Sequence, residues 1–188
     1  HGDIYIDGKV ANPKEHNISF VFQEPTCMPW RTVRQNVAYG MEVKRIPPVE
    51  ANQKLEKILG LVGLTDTAHL YPNQVSGSML QRIAVARAFA VNPDLLLMDE
   101  PYGQLDVKLR FYLEDELVKL WQTLKSTVIF ITHNIEEAVY VAERILVLSP
   151  KPTNIKAEVK VDLPHPRNMI DPAFVEIRKK VTDLIRWW

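Results

Sequence analysis

The chain has 188 residues, 23 basic and 23 acidic side chains and therefore no formal net charge, and 46% of its residues are hydrophobic. That balance excludes a disordered polyelectrolyte and a basic nucleic-acid-coating protein, and the length suits one globular domain with a real core. Its apolar runs fall far short of the roughly 20 residues that a membrane-spanning helix needs. The lone Cys27 has no partner for an internal disulfide, which fits a reducing compartment.

In chain order, Asp3-Ile4-Tyr5-Ile6 predicts a short strand and Asp7-Gly8 a tight turn. A second strand is predicted over 18–22. Pro47 and Pro48 open a helix in which Leu55, Ile58, Leu59 and Val62 recur at helical spacing. The next helix starts near Ser78, where Ser78 and Gln81 match a capping box, and runs to about Ala90. Leu95 to Met98 and Val128 to Ile131 are unbroken apolar runs, the pattern of parallel strands covered on both faces. A long helix joins them, its stripe formed by Leu109, Leu113, Leu117, Leu120 and Leu124. A helix over 135–142 leads to a third apolar strand, 145–148. The tail adds a strand around 157–163 and an amphipathic helix from Pro172, with Phe174, Ile177, Val181 and Trp188 inward. Alternating strands and helices predict an α/β domain with a parallel sheet. No repeat or flexible linker interrupts it, so residues 1–188 read as one unit.

Ligands of open parallel sheets bind beyond the carboxyl ends of the strands. Two of these strands end in reactive residues: one runs into Asp99-Glu100-Pro101, the other into Thr132-His133-Asn134. One carboxylate at such an edge can hold hydrated Mg²⁺ while its neighbour accepts a proton from an attacking water. Taken alone, the acidic pair could equally solvate a turn, and His133 could equally be structural. Upstream, Val75-Ser76-Gly77-Ser78-Met79-Leu80-Gln81-Arg82 opens a helix with small residues, leaving backbone N–H groups available to an anion.

Together these segments resemble the ATP-binding cassette (ABC) ATPases. Val75 to Gln81 is similar to the signature motif, Leu95 to Glu100 to the Walker B motif and Leu105-Asp106 to the D-loop. Thr132-His133 is similar to the H-loop, and Val21-Phe22-Gln23-Glu24-Pro25 to the Q-loop. The finer resemblance is to nitrate, sulfonate and taurine importer ATPases, through Phe22-Gln23-Glu24-Pro25 with Pro29-Trp30 and Asp162-Leu163-Pro164 with Pro166-Arg167.

The resemblance implies a P-loop NTPase fold of the ABC type, with a helical subdomain at about 31–90 and a C-terminal strand and helix over 150–188. It implies ATP and Mg²⁺ as cofactors. Asp99 and Gln23 would serve the metal, Glu100 would polarise the attacking water and His133 would contact the γ-phosphate. Gln23 would also report nucleotide state to a membrane subunit. Ser76 and Gly77, with Ser78 and Gln81 in the same motif, would close over ATP held by a second copy, and Asp106 would link the two sites. The implied partners are a second copy, transmembrane permease subunits and, indirectly, an external solute-binding protein, with no nucleic acid. The implied location is the cytoplasmic face of the cell membrane. Cys27, Met28 and Trp30 would lie near the permease, ordinary packing being the equal alternative. The short span from Gln23 to Ser76 has no sustained heptads, unlike ABC-type DNA-repair and chromosome ATPases.

Two features depart from the family pattern. No two glycines are five residues apart and Gly8-Lys9 is followed by Val10, so the 188 residues contain no G-x-x-x-x-G-K-[ST] phosphate loop. The resemblance therefore implies an ABC domain lacking its first strands, that loop and its first helix, inactive alone; the alternative is a non-hydrolysing ABC protein acting by interaction. Ser78 stands where a second glycine is usual, which is expected to reduce transport-linked hydrolysis without abolishing it.

Overall fold

A computed structural model describes residues 2–12, 14–103 and 107–185. The chain divides into two compact units, residues 1–131 and 132–188.

The first unit opens with a hairpin, β1 (Tyr5–Ile6) and β2 (Lys9–Val10), paired antiparallel. Asp7 and Gly8 both have positive φ, 50° and 77°, which is what a two-residue turn of the type matching strand twist requires. Next comes β3 (Ile18–Val21). Helices α1 (Val33–Val43), α2 (Pro48–Leu61) and α3 (Gly77–Phe89) follow, with a 3-10 turn over Pro72–Gln74 before α3. The unit closes with β4 (Leu95–Asp99), α4 (Val107–Leu124) and β5 (Thr127–Ile131).

Helix α1 is absent from the sequence expectations, although its start is written in the residues. The Thr32 hydroxyl accepts from the Gln35 N–H at 3.2 Å, and the Gln35 side chain accepts from the Thr32 N–H at 2.9 Å. This reciprocal box satisfies two otherwise orphaned donors. Val33, Val37 and Met41 bury one face of the helix.

The start of α3 corrects an expectation. Ser76, not Ser78, is the cap: its backbone is extended and its Oγ accepts from the Met79 N–H. Ser78 already has its place inside the helix, so it cannot cap, and it bonds instead to the Ser76 hydroxyl at 2.8 Å. Gln81 is buried within α3 and takes no part in a capping box.

Strands β3, β4 and β5 form a parallel sheet in that order, with Val21 opposite Met98 and Met98 opposite Phe130. Val21, Leu96 and Met98 join one core with residues of α1, α2, α3 and α4, and Val128 and Phe130 pack against it. The opposite face is open: Phe20, Ile129 and Ile131 are 43%, 50% and 54% exposed. The apolar runs are therefore strands as expected, but among the described residues one face is covered and not both.

The second unit holds α5 (Ile135–Val141), β6 (Arg144–Leu148), β7 (Ile155–Lys160) and α6 (Pro172–Ile185). Strand β6 pairs antiparallel with β7, a departure from the parallel arrangement that the alternation predicted. Its alternation explains this: Ile145 and Val147 are buried while Arg144, Leu146 and Leu148 are exposed, the pattern of a strand with one wet face. Phe174 and Val181 of α6 bury against Val139, Ile145, Val147 and Val159. Trp188 lies outside the described residues, as does the side chain of Leu109.

Candidate functional site

The parallel register of the first unit brings the ends of three strands to one edge. Asp99 is the last residue of β4 and pairs with Ile131, the last of β5. Gln23 lies two residues past the end of β3, whose Val21 pairs with Met98. This edge is the carboxyl end of every strand in the sheet, where α/β folds place ligands. The sequence could place Gln23 and Asp99 on this edge only if β3 and β4 were neighbours, and they are.

Glu100 leaves the sheet sharply. Its φ is +41°, in the left-handed region that costs a residue with a Cβ about 1–2 kcal/mol. A backbone hydrogen bond from the Glu100 N–H to the Ile131 carbonyl, 2.9 Å, holds it there. The chain then turns back, with the Gly103 N–H donating to the Glu100 carbonyl. A methyl group placed on Gly103 would meet Glu100 Oε2 at 3.5 Å and Gln23 Nε2 at 3.7 Å. Gly103 thus marks a point where the Gln23 amide and Glu100 carboxylate converge, and the sequence reading missed it. Its signal was a glycine three residues after the carboxylate. Asp99 and Gln23 are exposed and Glu100 is half-buried, so water and a polyvalent ligand have access.

No three His, Cys, Asp or Glu side chains gather to hold a metal among the described residues. Mg²⁺ does not need such a cage, because it keeps several waters and takes one or two carboxylates besides phosphate oxygens. An exposed strand-end aspartate with a glutamine and a second carboxylate at the same edge is a donor set that fits it.

Ser76 and Gly77, at the start of α3, are exposed, and Ser78 is half-buried. A Cβ on Gly77 would meet nothing within 4 Å, so packing inside this chain does not demand a glycine there. Gln81 is set apart from this exposed turn: it is 2% exposed, and its Nε2 is buried without a hydrogen-bond partner. The structure thus keeps Ser76, Gly77 and Ser78 together and withdraws Gln81 into the interior. Asp106 lies outside the described residues.

After Gln23 the chain is bolted to the helices. The Arg87 guanidinium donates to Thr26 Oγ1, and the Cys27 thiol donates to the Leu80 carbonyl. Burial pushes the Cys27 thiol up, with Arg87 opposing, so it stays a protonated packing group. Buried Asn36 accepts from the Met28 N–H and donates to the carbonyls of Met28, Arg31 and Thr32. The loop so latched holds Trp30 73% exposed. Asn36 is a second residue that sequence reading missed; its sign is an asparagine four residues after the Thr32 cap.

His133 belongs to the second unit, two residues past the end of β5. Its neighbours are tied down by side-chain hydrogen bonds. Thr132 Oγ1 accepts from the Asn134 N–H at 3.0 Å and bonds to the Glu137 carboxylate. Asn134 caps α5, its Oδ1 accepting from the N–H groups of Glu136 and Glu137. The residues on either side of His133 are therefore bonded into the start of α5.

Residues 1–103 match the family model described as ABC transporter. The chain is 43% identical over 185 residues to an uncharacterized ABC transporter ATP-binding protein of Methanocaldococcus jannaschii, covering 98% of this chain and 69% of that protein. It is 39% identical over 180 residues to an aliphatic sulfonates import ATP-binding protein of Bacillus cereus, covering 96% of this chain and 70% of that protein. Among solved structures it resembles an ATP-binding cassette in a dimeric post-hydrolysis state bound to ADP and Pi, with a TM-score of 0.71 and 31% identity. That match covers 86% of this chain and 74% of the other.

Proposed function

The chain belongs to the ABC transporter ATP-binding family, and from that premise we propose that it is the ATP-hydrolysing subunit of an importer for sulfonate, nitrate, taurine or a similar small solute. The observation that carries the chemistry is the convergence of Gln23 and Glu100 at Gly103, on the strand edge that ends in Asp99. The import role rests on the identity to sulfonate import proteins.

In this reading Asp99 and Gln23 hold hydrated Mg²⁺, which when bound neutralises charge on the phosphates. Glu100 orients and polarises the attacking water, its backbone set at the sheet edge by the positive-φ turn after β4. His133 donates to the γ-phosphate. Ser76, Gly77 and Ser78 offer hydroxyl and backbone N–H groups at the start of α3 to ATP on a second copy, and Asp106 joins the two sites. Gln81, being buried, supports α3 from inside. Most of this chemistry is positioning and charge stabilisation.

The partners we propose are a second copy of the chain, permease subunits that meet the Trp30 loop, and through them a solute-binding protein, without nucleic acid. No helix among the described residues is long and apolar enough to cross a membrane. The place we propose is the cytoplasmic face of the membrane, held there by docking on the permease. Residues 1–188 contain no G-x-x-x-x-G-K-[ST] loop, and by themselves are expected to bind Mg-ATP weakly and not to turn it over. Micromolar affinity with steady turnover would refute that.

The decisive test is Glu100→Gln in the protein assembled with its permease. Losing the base should lower ATP turnover about 10²- to 10⁴-fold while Mg-ATP still binds. Unchanged turnover would remove Glu100 from the mechanism.

A further inference from the structure

The tail run Pro164-His165-Pro166-Arg167 takes no part in the chemistry above. Yet Arg167 is 6% exposed, and all three of its nitrogens are engaged. Nη1 donates to the carbonyls of Val139 at 2.7 Å, Tyr140 at 3.1 Å and Ala142 at 2.6 Å. Nη2 donates to Val161 at 3.4 Å and Leu163 at 3.1 Å, and Nε to Leu163 at 3.1 Å. Each of these acceptors is a main-chain oxygen.

Val139, Tyr140 and Ala142 lie in the last turn and C-cap of α5. A helix leaves its final carbonyls without partners and carries partial negative charge there. A guanidinium answers both needs at once, with a fixed fork of five donors and a permanent positive charge. At the opposite end of α5, Thr132 and Asn134 close the first turn, and His133 stands between them. Helix α5 has only seven residues, too few to persist in water by itself. Its place is set by buried Val139 and Tyr140 and by what holds its two ends.

We propose that Arg167 is a positioning residue for His133: it grips the C-terminal carbonyls of α5, and the capped N-terminal end then presents the His133 imidazole in one place. The effect on turnover rests on the reading of His133 as a phosphate contact; the grip on α5 does not. His165 completes the grip, its Nε2 bonding to the Tyr140 carbonyl at 3.2 Å. A lysine could not replace the fork, because a single ammonium cannot span acceptors on α5 and on residues 161–163, just past β7, together.

The test is NMR spectroscopy on the 188-residue chain. In the wild type, the Arg167 Nε–H should exchange with water at least about tenfold more slowly than those of exposed arginines. Arg167→Ala should speed exchange of the α5 amides by about tenfold or more and shift the His133 ring resonances, leaving β6 and β7 protected. Arg167→Lys should reproduce the His133 shift in part despite keeping the charge. A fast-exchanging, freely rotating guanidinium in the wild type would overturn the proposal, even if Arg167→Ala failed to fold. So would His133 resonances unmoved in both variants, which would leave Arg167 a purely structural residue. Failure of the functional reading would show elsewhere, as full turnover by His133→Ala in the assembled importer, while the resonance shifts would still report the grip.

Discussion

The two units fix their candidate catalytic side chains by different means. In the first, strand register does the work: Gln23, Asp99 and Glu100 share an edge because β3, β4 and β5 run parallel with their ends aligned. In the second, side chains bonded to the main chain do it: Thr132, Asn134 and Arg167 hold both ends of the seven-residue helix that follows His133. Register is paid for by apolar burial, spread over many residues and insensitive to any one polar group. The second device concentrates the task in a few donors and acceptors, where losing one partner strands another. A catalytic group that must stay still can rest on either. One that responds to a partner is better served by the second, since a few bonds can be remade.

Leu96→Ala tests the burial side of this contrast and carries the largest expected effect. Leu96 is wholly buried in β4, the middle strand of the sheet, between Ser19 and Val128 in the register. Its truncation should cost about 2–5 kcal/mol of stability, read as a lower urea midpoint. A loss under about 1 kcal/mol would mean that apolar burial is not what holds the strand edge. Asn36→Ala comes next, because the first unit also contains a hydrogen-bond-held piece, the loop carrying Trp30. Removing the amide strands the carbonyl of Met28 and the N–H that Asn36 accepted. The expected cost is about 1–3 kcal/mol, with faster amide exchange confined to residues 28–32. Exchange rising evenly across the unit would show that Asn36 supports the core and not the loop.

The same contrast decides what was legible beforehand. Periodicity and apolar runs point to α2, α4, β4, β5 and α6, because burial leaves its pattern on many residues at once. The strand-end carboxylates and His133 could be read for the same reason, as they follow directly on those runs. The hairpin pairing of β6 with β7 could not, since a four-residue apolar run does not say which neighbour it takes. Nor could the start of α3: Ser76 and Ser78 are both competent caps, and only the backbone tells which is extended. Arg167 was illegible as a holding group because its partners are main-chain oxygens, which any residue type supplies; Asn36 bonds only main-chain groups too, and its spacing from Thr32 was its one sign. The Thr32–Gln35 box was legible and was missed.

The smallest effect concerns pH and the hydrogen-bond-held unit. His165 lies against Tyr140 and beside Arg167, and burial first, then the Arg167 charge, lower its pKa, with the Tyr140 and Val141 backbone and Glu143 opposing. Folded His165 therefore resists a proton that the unfolded chain accepts below about pH 6.5. Where the unfolded state binds more protons, stability rises with pH. The contribution is thus intact above about pH 6.5 and is lost as pH falls from there toward the folded pKa. His165→Asn keeps a side-chain donor for the Tyr140 carbonyl but cannot titrate. The difference in thermal midpoint between wild type and His165→Asn should be constant above about pH 7 and should move against the wild type on going to about pH 5.5. Parallel curves over that range would show that the imidazole charges without penalty beside the guanidinium. The grip on α5 would then be looser than its hydrogen bonds imply, and the contrast between the two units would lose its second half.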